Sequence, residues 1–295
     1  MGAVRPAVVV AVLLGLAGCA EPGGPPGSPG ASSTAALPEG SGGTLVLRAD
    51  QTGGFMAPAS SAGRLPIASV YADGRVLVDG PVAAIYPGFA WPNVQVFEIG
   101  RDRVQELADH ALAAGVAETD DLGMPPLADV STTRFTLVTA TGTHVREVYG
   151  LTEAVGLPDS GLTEEQEAAR GELRDLLDEL TGLAVQEAGD PPPESWTPTA
   201  VAAVVRPYTA SPEDVAHGLV PEAVPWPGPA LPGRPLGPLP ELTCVTAVGD
   251  EATAVIDAAQ GANMLTPWLS PDGSRWSVVF RPLLPDEVGC QDLAD

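Results

Sequence analysis

The sequence predicts an α+β protein made of two small antiparallel-sheet units with helices packed on one face. Three observations carry that expectation. Short runs of alternating apolar and polar residues, several joined by Gly-containing turns, recur on both sides of a break at Gly189 to Pro193. Amphipathic segments with a period near 3.6 lie between those runs. Nothing in the body is apolar over the roughly 20 residues that a membrane-spanning helix needs.

The first unit is expected over 44–188 and opens with Thr44-Leu45-Val46-Leu47-Arg48, whose alternation reads as a strand. Ile67 to Tyr71 and Val76 to Val78 flank Ala72-Asp73-Gly74-Arg75. That pattern is a hairpin, with Asp-Gly supplying residues that tolerate positive φ. Arg101 to Ala114 reads as a helix with Val104, Leu107, Ala108 and Ala111 on one face, ended by Gly115 in the left-handed conformation. Arg134 to Thr139 and Thr143 to Tyr149 form a second hairpin around Ala140-Thr141-Gly142. A second helix begins at Thr163, where Thr163 and Gln166 have capping-box spacing; its stripe is Leu173, Leu176, Leu177 and Leu180, with Gly182 as its stop.

The second unit is expected over 195–295. It starts with strand Thr199 to Tyr208, followed by a Pro-dense crossing, Val220 to Pro240, with little room for regular structure. Leu242 to Val248, helix Asp250 to Gln260, and strands near Leu265 to Leu269 and Trp276 to Arg281 complete a β-α-β-β unit. Val255, Ile256 and Ala259 are the buried stripe of that helix. Cys244 and Cys290 are an even pair with no CxxC spacing and no nearby His, so a disulfide closing this unit is expected.

The N-terminus indicates the compartment. Arg5 precedes an apolar run from Ala7 to Leu16, which at 1.5 Å per residue is about half a bilayer core and fits a secretory signal. The run ends in Leu16-Ala17-Gly18-Cys19, which resembles the lipobox of bacterial lipoprotein precursors. That resemblance implies a signal peptide over 1–18 and diacylglyceryl modification of Cys19, and two acyl chains suffice for stable anchoring. Residues 19–43, rich in Gly, Pro, Ser and Ala, are expected to be a disordered tether reaching about 27 Å.

The chain of 295 residues carries 38 acidic and 14 basic side chains, every basic one an Arg, for a net charge of −24. Such a balance excludes a sequence-independent grip on nucleic acid and repels an anionic membrane surface, leaving lipid as the means of attachment. Five stretches, LPIASVYADGRVLVDG, ADVSTTRFTLV, SWTPTAVAAVVRPY, GANMLTPW and FRPLLPDEVGC, resemble segments of secreted or lipid-anchored proteins of high-GC Gram-positive bacteria, a family without an assigned activity. The resemblance spans most of residues 44–292 and implies location and fold pattern; it transfers no site residues.

No short motif for Ser, His or phosphate chemistry is present: there is no GxSxG, HExxH, SxxK or Gly-rich phosphate loop. Asp129, Ser131 and His144 supply the residue types of a triad. Asp120, Asp121 and Asp129 lack the alternation of a calcium loop. The concentrated feature is Tyr86-Pro87-Gly88-Phe89-Ala90-Trp91-Pro92. Its rings Tyr86, Phe89 and Trp91 either present a stacking surface for a sugar or Pro-rich peptide or fold over a sheet edge.

The expected function is a non-enzymatic binding or scaffolding module of the cell envelope, lipid-anchored on the extracytoplasmic face. Its expected partners are the membrane and an envelope protein or glycan; no nucleic acid, cofactor or metal is expected. Two alternatives stand beside it: an envelope hydrolase whose site is assembled from scattered acids and His144, and an acidic metal- or ligand-binding protein.

Overall fold

The structure is a computed structural model and describes residues 1, 34–40, 42–186 and 192–293. Apart from Met1, the expected signal peptide, the lipidation site Cys19 and most of the expected tether lie outside the described residues. Among the described residues the chain is mixed α+β, with two sheets of seven and six strands and five α-helices.

The first sheet runs β1 (Leu45–Gly53), β2 (Ala68–Tyr71), β3 (Arg75–Asp79), β4 (Val94–Glu98), β5 (Ser131–Thr139), β6 (Gly142–Tyr149) and β7 (Glu194–Ser195), in spatial order β6-β5-β1-β2-β3-β4-β7. Every pairing is antiparallel. Register puts Leu47 opposite Leu137 and Ala49 opposite Phe135, so the apolar set of both strands shares one face. Helices α2 (Arg101–Ala113) and α3 (Glu164–Gln186) cover that face with the stripes read from the sequence. Gly74, at φ 97°, makes the hairpin turn, its N–H donating to the Tyr71 carbonyl.

The end of α2 and the start of α3 follow from local chemistry. Gly115 is left-handed, and its N–H and that of Val116 donate to Leu112 O and Ala111 O, a Schellman closure with Val116 buried against the core. Thr163 Oγ1 accepts the Gln166 N–H at 3.2 Å while Gln166 Oε1 accepts the Thr163 N–H at 3.0 Å, the reciprocal capping box. Gly182, by contrast, does not end α3, which continues to Gln186. An interior Gly costs about 1 kcal/mol, and Leu183, fully buried in the core one residue later, outweighs it.

Packing also begins earlier than Thr44. Ala35 is 3 % exposed and belongs to the first core. Its N–H donates to Asp109, its carbonyl accepts from Gln105, and Ala36 O accepts from Ala140. Part of the segment expected as tether is therefore folded onto α2: small Ala side chains fit a surface that the charge-poor composition alone did not reveal.

The second sheet comprises β8 (Ala200–Pro207), β9 (Val224–Pro225), β10 (Arg234–Pro235), β11 (Thr243–Val248), β12 (Trp268–Leu269) and β13 (Arg275–Pro282), in order β10-β11-β8-β13-β12-β9. The Pro-dense crossing thus adds two-residue edge strands, the positions where Pro is tolerated because a donor is dispensable. Helix α5 (Gly249–Gln260) packs Val255, Ile256 and Ala259 on one face, beside Trp226, Trp268 and Phe280, whose rings contact edge-on or stacked at 5.3 to 6.3 Å. Cys244 and Cys290 are disulfide-bonded with Cα atoms 6.0 Å apart, tying β11 to the tail on the opposite face.

The two sheets belong to one compact unit, residues 33–295, and each lends segments to the other. The five-residue helix α1 (Pro58–Ala62), between β1 and β2, buries Ala59 in one cluster with Ala202 and Val204 of the second sheet and Leu283 just beyond β13. Leu284 in turn packs with Tyr71, Leu77 and Val94 on the first sheet, and β7 pairs with β4. Helix α1 and β7 have no legible sequence signal because five and two residues are too short for periodicity.

Candidate functional site

The connection between β3 and β4 carries the aromatic segment. It is held to the turn after α5: Ala90 N–H donates to Ala262 O at 3.1 Å, and Met264 N–H donates to Gly88 O at 2.9 Å. That turn is itself braced, since Asn263 Oδ1 accepts the Leu265 N–H and Thr266 Oγ1 accepts the Asn263 N–H. The three rings then divide. Trp91 is half-buried in the second core, 6.2 Å from Phe280, where a large ring gains most from burial. Tyr86 and Phe89 stay 60 % and 63 % exposed, next to exposed Ile85 and Met264.

Beside Tyr86 lies an open cleft of about 590 Å³, lined also by Ser211, Glu213, Asp214, His217 and Leu219. Most of these come from α4 (Pro212–Ala216) and its flanks, started by Pro212, whose fixed φ suits a first helical turn. Asp214 is buried, and its Oδ1 accepts the Tyr86 hydroxyl at 2.7 Å. That hydrogen bond, more than burial or the charges of Asp214 and Glu213, raises the phenol above its ordinary range. No hydrogen bond to the second Asp214 oxygen occurs among the described residues. The arrangement sets one exposed ring, Tyr86, and a fixed carboxylate at the opening, with exposed Phe89 three residues along the same braced loop.

The other sequence candidates do not converge. Ser131 and His144 sit at opposite ends of the β5–β6 hairpin: His144 faces Leu137, six residues along β5 from Ser131, about 20 Å. The Asp129, Ser131 and His144 triad is thereby ruled out by register. His144 is half-buried and has no carboxylate partner among the described residues. His110 instead bonds Glu179, which also takes Arg103 at 2.8 Å, clamping α2 to α3. Asp121 accepts the Gly123 N–H as a turn. No group of three or more His, Cys, Asp or Glu with metal-site geometry occurs among the described residues.

A second polar assembly, invisible to motif reading, lies where the tail crosses the first sheet. Arg48 donates twice to Asp286, at 2.7 and 3.0 Å, and once to Ser69 Oγ. Tyr71 donates to the same Asp286 oxygen at 2.8 Å. Arg281, 2 % exposed, reaches Glu287 at 2.8 Å, and Glu287 also accepts the Leu284 N–H. Burial alone lowers the affinity of Arg48 for its proton, yet Asp286, Tyr71 and Glu287 together raise it above the usual value. For Arg281 burial prevails over Glu287, and its pKa falls. Arg48, Asp50 and Thr52 alternate with Leu47, Ala49 and Gln51 along β1, which was the one sequence sign that this sheet has a polar inner face.

No family model matches the chain, and no curated protein matches it. Among the described residues no helix is long and apolar enough to cross a membrane.

Proposed function

We propose that this chain is a lipid-anchored binding module of the extracytoplasmic cell envelope, and that its ligand is an envelope glycan bound across Tyr86, Phe89 and the Asp214 cleft. The observation that carries the reading is the pairing of exposed Tyr86 with the buried Asp214 carboxylate at an open cleft, on a braced loop that also exposes Phe89. Sugar rings present C–H faces that stack on aromatics, and their hydroxyls donate to carboxylates. A loop already held by backbone hydrogen bonds loses little entropy on binding. Glu213, Ser211 and His217 supply further polar contacts at the mouth.

Attachment rests on the lipobox-like Leu16-Ala17-Gly18-Cys19 and on acylation of Cys19. The Cys244–Cys290 disulfide favours an oxidising compartment. A net charge of −24 is adverse to nucleic acid. The test is co-sedimentation of the purified chain with isolated envelope polysaccharide. Wild type is expected to bind, and Tyr86→Ala with Phe89→Ala to lose most of that binding while keeping the far-UV circular dichroism of the folded chain. Equal binding by the double variant overturns the glycan reading. Cys19→Ala is expected to move the protein out of the membrane fraction, and no change overturns the anchor.

A further inference from the structure

Four of the 14 Arg residues of this acidic chain, Arg48, Arg64, Arg134 and Arg281, line one cleft of about 180 Å³ between the polar face of the first sheet and the tail. Three of them are matched by carboxylates: Arg48 by Asp286, Arg281 by Glu287, and Arg134 by Glu147 at 2.8 Å. Arg64 differs. Its half-buried guanidinium donates to Gln51 O at 3.2 Å, and no carboxylate lies within ion-pair distance of it among the described residues. Most of its five N–H donors are therefore uncommitted to protein.

The acidic groups that line the cleft are held by partners other than Arg64. Asp292 accepts the N–H groups of Val288 and Gly289, Glu287 is held by Arg281 and Leu284, and Asp50 faces Arg134 across β1 and β5. Arg64 is therefore the guanidinium of this cleft whose charge meets no carboxylate among the described residues. Hydroxyls of Ser61, Thr52 and Thr136 line the same opening and add neutral donors. At about 180 Å³ the cleft has room for a small oxyanion group.

We infer that this cleft is a binding site for a small oxyanion group, a phosphate or a carboxylate, taken by the Arg64 guanidinium fork. A guanidinium presents parallel N–H donors whose spacing matches both anions, and partial burial strengthens the interaction relative to water. The site is separate from the Tyr86 and Phe89 surface and does not depend on the glycan reading. Its place between β1, α1 and the tail links anion occupancy to the join between the two sheets, so binding stabilises the fold by mass action.

The experiment is isothermal titration of the purified chain with inorganic phosphate, with sodium acetate, and with sodium chloride at equal ionic strength as control. Saturable binding of phosphate or acetate beyond chloride is expected, and the anion that binds tells a phosphoryl ligand from a carboxylate one. Arg64→Gln is expected to weaken that binding about tenfold or more, the loss of a charge-assisted hydrogen bond pair. The Arg281 bond to Arg64 uses the backbone carbonyl and survives the substitution. Amide shifts in the wild type, independent of any variant, are expected to cluster at Gln51, Thr52 and Leu65. Absence of saturable binding, equal affinity in Arg64→Gln, or shifts clustered elsewhere overturns the site.

Discussion

Tyr71 on the first sheet and Asp286 in the C-terminal tail are 215 residues apart in sequence and joined by a 2.8 Å hydrogen bond, with Arg48 gripping the same carboxylate. This contact is the polar counterpart of the apolar cluster of Tyr71, Leu77, Val94 and Leu284. It makes the join between sheets directional, because a charged, oriented group must find its partner before the surrounding surface is dehydrated.

Removing Asp286 leaves the Arg48 guanidinium and the Tyr71 hydroxyl largely buried without their acceptor. Breaking such a pair from one side costs more than the pair contributes. Asp286→Ala is expected to destabilise by about 3 kcal/mol, read as a lower urea midpoint. A midpoint within error of wild type refutes the account.

Burial, and after it Asp286, pushes the Tyr71 phenol well above its ordinary 10.0. The unfolded chain therefore releases this proton first as pH rises, and the folded state binds more protons than the unfolded one. Its contribution is complete below pH 10 and declines above, by up to about 1.4 kcal/mol per pH unit. Urea melts from pH 8 to 11 should show the decline in wild type and a flatter profile in Tyr71→Phe. Parallel profiles would contradict it.

The disulfide between Cys244 and Cys290 closes a loop with a sequence separation of 46. In the chain-entropy model this constraint on the unfolded state is worth about 4 kcal/mol. Reduction, or Cys244→Ser with Cys290→Ser, should lower the urea midpoint accordingly. Because the bond sits in the cluster that also holds Ala59, Ala202 and Leu283, amide exchange in α1 and β8 should rise with it.

Thr163 and Gln166 exchange two hydrogen bonds at the start of α3. Thr163→Ala should cost about 1 kcal/mol, and Thr163→Ser should recover most of it. Far-UV circular dichroism during a urea melt measures both. A null effect for Thr163→Ala would mean that packing of Leu173 and Leu176 alone sets the start of the helix.

What the sequence determined by itself is what neighbouring residues settle among themselves. The Thr163 and Gln166 cap, the Asp73-Gly74 turn, the Gly115 closure and the Leu173 to Leu180 stripe depend on spacings of a few residues. Each was readable, as was the disulfide pairing of Cys244 with Cys290. Tertiary structure decided the rest. Leu183 carried α3 past Gly182, Ala35 docked on α2, and Trp91 left the aromatic surface for Phe280, each because burial against a distant segment exceeded a local preference. The Asp214 contact with Tyr86 and the arginine cleft at Arg64 are likewise long-range. Their partners lie tens to hundreds of residues apart, and no periodicity encodes which of 38 acids meets which of 14 arginines. Apolar alternation dictates that a sheet face is buried; only the folded chain dictates what lies against it.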